Sequence, residues 1–145
     1  MNKISRLAGI VLLGCSGAAA AECSINVTGT NFGLYQPFDY APTDSSGDIT
    51  INCSPDITYN IKLDTGNAVS FIPRQLKSGT ATLEYNLYRD VSYNEVWGDG
   101  MGGTYTRSGP GTGSNEILKI FGRIPTGQNV AEGIYTDTVG VLVEY

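Results

Sequence analysis

The chain contains no histidine. That absence removes the imidazole general base, the histidine-dependent triads and most zinc and copper sites. Basic side chains are scarce, with 9 lysines and arginines against 14 acids and a net charge of −5. An acidic chain of this kind is a poor partner for nucleic acid and for anionic membrane surfaces. Long apolar runs are missing too. The stretch Leu7 to Leu13 falls well short of the roughly 20 residues that cross a bilayer as a helix. No segment combines helical spacing of apolar residues with good caps, so helices are not expected to build the core.

What is present points to strands. Glycine is abundant at 19, and tyrosine, at 9, outnumbers phenylalanine, at 4. Gly-rich turns between Tyr-, Thr- and Val-rich runs are the composition of an all-β protein. The 145 residues suit one domain with a sizeable core.

The start of the chain reads as an export signal. Lys3 and Arg6 precede the apolar run, and Ala18 to Ala21 supply small residues for cleavage after Ala21 or one residue earlier. Leu12-Leu13-Gly14-Cys15 resembles a lipoprotein site with Cys15 as the lipid-bearing residue, but the alanine site fits simple cleavage better. The expected organisation is a signal peptide over 1–21 and one β-domain over 22–145, carrying a charge of about −7 once Lys3 and Arg6 are gone. The mature chain keeps Cys23 and Cys53, and an even pair in an exported protein predicts a disulfide, the alternative being two free buried thiols.

Period-two alternation marks strands at Ser24–Thr28, Asp48–Cys53, Ile57–Leu63, Thr82–Tyr88 and Ile117–Ile124. Pro37 to Gly47 reads as a loop, Thr65 to Gly79 as a mixed segment with an apolar patch at Val69–Ile72, and the glycine-rich Gly98–Gly113 as a loop or a loose hairpin around Thr104–Thr106. The last strand is expected over Tyr135–Tyr145, with Val139, Val141, Val143 and Tyr145 on its apolar face. No turn signal follows it. A strand needs partners for its backbone groups on both sides, so this terminal strand raises the question of its neighbour. Six or seven short strands at this spacing predict a sandwich or barrel.

Several chemical readings were weighed against plainer ones. Asp90, Glu95 and Asp99 match no EF-hand spacing and read better as a solvated loop. The glycine-rich stretch lacks the Gly-Lys-Ser/Thr ending of a phosphate loop. Trp97 reads more readily as core under a loop than as a ligand platform. Asn26-Val27-Thr28 and Asn52-Cys53-Ser54 are glycosylation sequons in letters only. A carboxylate-pair glycosidase is left little room for a cleft among such short strands. The expectation is no enzyme, no cofactor and no metal.

Phe32-Gly33-Leu34-Tyr35, Cys53-Ser54, Tyr85-Asn86-Leu87-Tyr88-Arg89-Asp90, Trp97-Gly98-Asp99-Gly100, Phe121-Gly122-Arg123-Ile124-Pro125 and the closing Gly133 to Val139 together resemble the spore coat protein U domain family, which includes the pilins of archaic, Csu-type chaperone–usher pili. The resemblance implies a single immunoglobulin-like β-sandwich lacking its final strand. It also implies a periplasmic chaperone that lends a strand, an outer-membrane usher, and neighbouring pilin subunits that replace the lent strand. Some five inward side chains of a donor would contribute about 8–15 kcal/mol before ordering costs. Val139, Val141, Val143 and Tyr145 are then expected to border the acceptor groove. Cys23 stands close behind the expected cleavage point, so the chain is expected to receive a strand without giving one, which suits the tip of a fibre. The leading expectation is a secreted subunit of an adhesive surface pilus serving biofilm formation. The alternatives are a spore-coat or cell-surface coat component without a fibre, and a self-complete ligand-binding sandwich.

Overall fold

The computed structural model describes the backbone of residues 4–6 and the whole of residues 20–145. Cys15 and most of the expected leader lie outside the described residues. Among the described residues nine strands follow one another: β1 (Ile4–Arg6), β2 (Cys23–Thr28), β3 (Thr43–Cys53), β4 (Thr58–Leu63), β5 (Arg74–Ser78), β6 (Ala81–Tyr88), β7 (Arg107–Pro110), β8 (Glu116–Ile124) and β9 (Val141–Glu144). There is no helix among the described residues. The fold is all-β, two antiparallel sheets in the order β1-β9-β4-β7 and β2-β3-β8-β6-β5. They face each other as an immunoglobulin-like sandwich.

Alternation decides which side chains meet between the sheets, because successive residues of a strand point to opposite faces. Ile49, Ile51 and Cys53 of β3, Leu118, Ile120 and Ile124 of β8, and Leu83, Tyr85 and Leu87 of β6 are buried from one sheet. Tyr59, Ile61 and Leu63 of β4 and Val143 of β9 are buried from the other. Trp97 is fully buried and its Nε1–H donates to the Ile61 carbonyl at 3.0 Å, so the tryptophan is core. Tyr59 joins the layers through its hydroxyl, which donates to Glu116 Oε2 at 2.9 Å. Cys23 and Cys53 stand opposite each other in the β2–β3 ladder and are joined by a disulfide.

Four boundaries differ from the sequence reading, each for a tertiary reason. β3 begins at Thr43, inside the expected loop, because Thr43–Gly47 find ladder partners in Ile124–Ile120 of β8. β5 lies inside the mixed segment. Its Arg-Gln-Leu-Lys-Ser sequence is too polar to announce a strand, yet it pairs with β6 through a tight turn at Gly79, whose φ of +58° suits glycine. β7 emerges from the glycine-rich stretch as the outer neighbour of β4. The terminal strand is shorter than expected. Thr136 still bridges to Lys77 of β5 in one sheet, whereas Val141–Glu144 pair with β4 in the other, so residues between them carry the chain from layer to layer.

Candidate functional site

That crossing opens the site. β9 pairs with β4 on one side, Val143 opposite Ile61, and among the described residues its other edge meets the three residues of β1, Ile4 opposite Glu144 and Arg6 opposite Leu142. Beside this edge lies a cleft of about 1400 Å³. Its floor is the inner face of the larger sheet: Leu83, Tyr85 and Leu87 of β6 with Ile120 and Ile124 of β8. Leu63 and Val141 line it from the smaller sheet. Small-molecule sites commonly enclose about 300–1,000 Å³. This cleft is larger, elongated by its two walls, and apolar along its floor.

The walls are the segments 29–38 and 129–139. Phe32 packs edge-on against Tyr85, with ring centroids 5.9 Å apart, and lies against β8 where Gly122 leaves room. A Cβ at Gly122 would sit 2.7 Å from the Phe32 ring, which explains glycine in the middle of that strand. Tyr35 fastens the same wall. Its hydroxyl donates to the Pro125 carbonyl and accepts from the Gln128 backbone N–H, each at 3.0 Å. The Gln128 amide in turn bonds both backbone groups of Glu84 on β6.

The second wall is held by polar contacts. Lys77 and Thr136 exchange both backbone hydrogen bonds. Asp137 accepts from the backbone N–H groups of Asn67 and Thr138 at 2.7 and 2.8 Å and from the Tyr85 hydroxyl at 2.6 Å. Burial pushes the Tyr85 phenol far above its ordinary pKa, and the bond to Asp137 pushes in the same direction, so the hydroxyl stays protonated and donates. Asp64 accepts from the N–H groups of Gly66 and Gly140, fixing the point where the chain turns into β9. Beneath it, fully buried Arg74 donates to the carbonyls of Asp64 and Trp97 and to Asn86 Oδ1. Burial lowers the Arg74 pKa, opposed by Tyr85, Asp137 and Asp64.

The rim is apolar and faces solvent: Leu34 is 79% exposed, Phe38 84% and Ile134 85%. Three large apolar side chains held out around one cleft are an uncovered binding surface. Of the four residues expected at an acceptor groove, Val139 and Val141 line the cleft. Val143 is closed into the core at 1% exposure, and Tyr145 packs at the core's edge. The sequence reading missed both walls and the Arg74–Asp64–Asp137 network. Phe32-Gly33-Leu34-Tyr35 was the one visible signal, an aromatic cluster bounded by turn residues.

No group of three or more His, Cys, Asp or Glu side chains could hold a metal among the described residues. Asp90 and Asp99, the candidate calcium ligands, instead accept backbone N–H bonds within their own turns, from Asn94 and Glu95 and from Met101. No helix of the described residues is long and apolar enough to cross a membrane.

The described residues thus form an all-β sandwich with an open apolar cleft beside its last strand. The Spore Coat Protein U domain matches residues 10–142, and the chain belongs to that family. It is 28% identical over 130 residues to Protein U of Myxococcus xanthus, covering 79% of this chain and 70% of that protein. It is also similar in structure to a chain of the CsuC–CsuE chaperone–tip adhesion subunit pre-assembly complex from the archaic chaperone–usher Csu pili of Acinetobacter baumannii, with a TM-score of 0.63 and 26% identity. That likeness covers 87% of this chain and 40% of the other.

Proposed function

We propose that this protein is an exported structural subunit of a Csu-type chaperone–usher surface pilus, completed by a strand that a partner lays into the cleft beside β9. The observation that carries the reading is the cleft itself: buried aliphatic side chains form its floor, exposed Leu34, Phe38 and Ile134 its rim, and the outer edge of β9, paired with β1 of the expected leader, runs alongside. An extended partner segment laid there in place of β1 pairs with the backbone groups of β9 and lays alternate side chains toward the floor. Export follows from the leader at 1–21. The chaperone, the usher and other pilins are the partners, and adhesion and biofilm formation the role. Placement at the tip draws support from the likeness to a complex that contains a tip adhesion subunit.

The second reading is a surface or spore-coat component without a fibre, favoured by the similarity to Protein U. Co-expression with a pilus chaperone separates the two. The pilus reading expects a one-to-one complex from the periplasm and little soluble protein without the chaperone; equal soluble yield and no complex would rule it out. Immunogold label on assembled fibres then tests position, with label along the shaft excluding the tip.

A further inference from the structure

We propose that the segment this cleft receives is basic: an extended partner strand with large apolar side chains at alternate positions and a lysine or arginine in the stretch that passes Glu132. The inference rests on the cleft reading above and adds the charge of the occupant. Among the described residues that line the cleft, the charged ones are Glu132 and Asp137, and none is a lysine or arginine. Asp137 is engaged internally, accepting from Asn67, Thr138 and Tyr85. Glu132 is different. It is exposed at the rim and makes no hydrogen bond or ion pair among the described residues. A segment entering the cleft therefore meets two negative charges, one of them free, between apolar walls that focus the field.

An acidic residue carried past Glu132 is repelled, whereas a basic one gains a partner at the end of its insertion. The chain's net charge of −5 acts in the same direction at longer range. The segment that the chain itself lays against β9 has this character. Residues 1–21 contain Lys3 and Arg6 and no acid, and Ile4–Arg6 run antiparallel to Leu142–Glu144.

The test uses synthetic peptides of about a dozen residues, with valine and isoleucine at alternate positions and serine or threonine between them. One intervening position at a time is set to Lys, Gln or Glu. Binding to the full chain purified from a bacterial periplasm, and to its Glu132→Gln and Glu132→Lys variants, is measured by fluorescence anisotropy at low and high salt. At the register that passes Glu132, the lysine peptide should bind about two- to five-fold tighter than the glutamine peptide, and the glutamate peptide more weakly. The preference should shrink in Glu132→Gln, reverse in Glu132→Lys and flatten at high salt. Peptides that bind equally whatever their charge, or whose order ignores Glu132, overturn the charge inference and leave the cleft reading standing. Failure of every peptide to bind overturns both.

Discussion

At the scale of single residues, two side chains test the site from opposite sides. Val141 lines the cleft from β9 and is half-buried before any partner arrives. A carboxylate there would be turned toward the apolar lining and covered by an incoming strand, at a cost on the order of 2 kcal/mol or more. Val141→Asp is therefore expected to weaken strand or chaperone capture by more than about ten-fold, read by pull-down from the periplasm, while Val141→Ile stays close to the parent. Arg74 acts from below. Replacing it with Met leaves the Asp64 and Trp97 carbonyls without their side-chain donor, strips Asn86 Oδ1 of one of its two donors and removes the cation beneath Asp64 and Asp137. The expected loss is about 3–5 kcal/mol in urea unfolding, because a buried polar group stripped of its partner costs more than the bond contributed.

At the scale of elements, the disulfide is the cleanest test. β2 is an edge strand of the larger sheet, held by β3 alone, and its first residue is bonded to the last residue of β3 across 30 positions of sequence. Closing a loop of that length restricts the unfolded chain by about 3.5 kcal/mol in the chain-entropy account. The double variant Cys23→Ala/Cys53→Ala should lose about that much stability and accumulate less in the periplasm. Mass spectrometry of the intact exported protein should find no free thiol. Two free thiols would end this account of how β2 is held.

At the scale of the whole molecule, the two sheets are tied by Tyr59, which is buried and reaches from β4 to Glu116 of β8. Burial first, then the bond to Glu116, push its pKa from about 10 up to about 12. A folded-state pKa above the unfolded one means that Tyr59 contributes its stability in full below pH 10. The contribution is lost as pH rises through about 12, where the hydroxyl ionises in the folded protein. Alkaline unfolding followed by tyrosinate absorbance should therefore show a late-titrating component that includes Tyr59 alongside Tyr85, whose phenol is pushed up by burial and by Asp137 as well. In Tyr59→Phe that late component should shrink by one phenol, and an unchanged amplitude would overturn the assignment.

The strands of the core were legible in the sequence, because a residue's place on the inner or outer face follows from alternation alone. Ile49-Ile51-Cys53, Tyr59-Ile61-Leu63 and Leu83-Tyr85-Leu87 each declare their buried side before any partner is known. The Cys23–Cys53 pairing followed from there being two cysteines beyond the expected leader. Motif resemblance pointed to the family. The cleft was another matter. Its floor residues read as ordinary core, since nothing local distinguishes a leucine covered by its own chain from one awaiting another. Its walls come from segments 29–38 and 129–139, nearly a hundred positions apart and without periodicity. β5 was hidden because Arg74 is buried by an amide and two distant carbonyls that the sequence does not place together. Sequence by itself determined an all-β sandwich and the faces of its main strands, because those depend on neighbours two residues away. Only the tertiary structure decided where the last strand stops and what lies open beside it. Asp64 and Asp137 fix that crossing through contacts some seventy residues apart, and such long-range hydrogen bonds exist only once both sheets have formed.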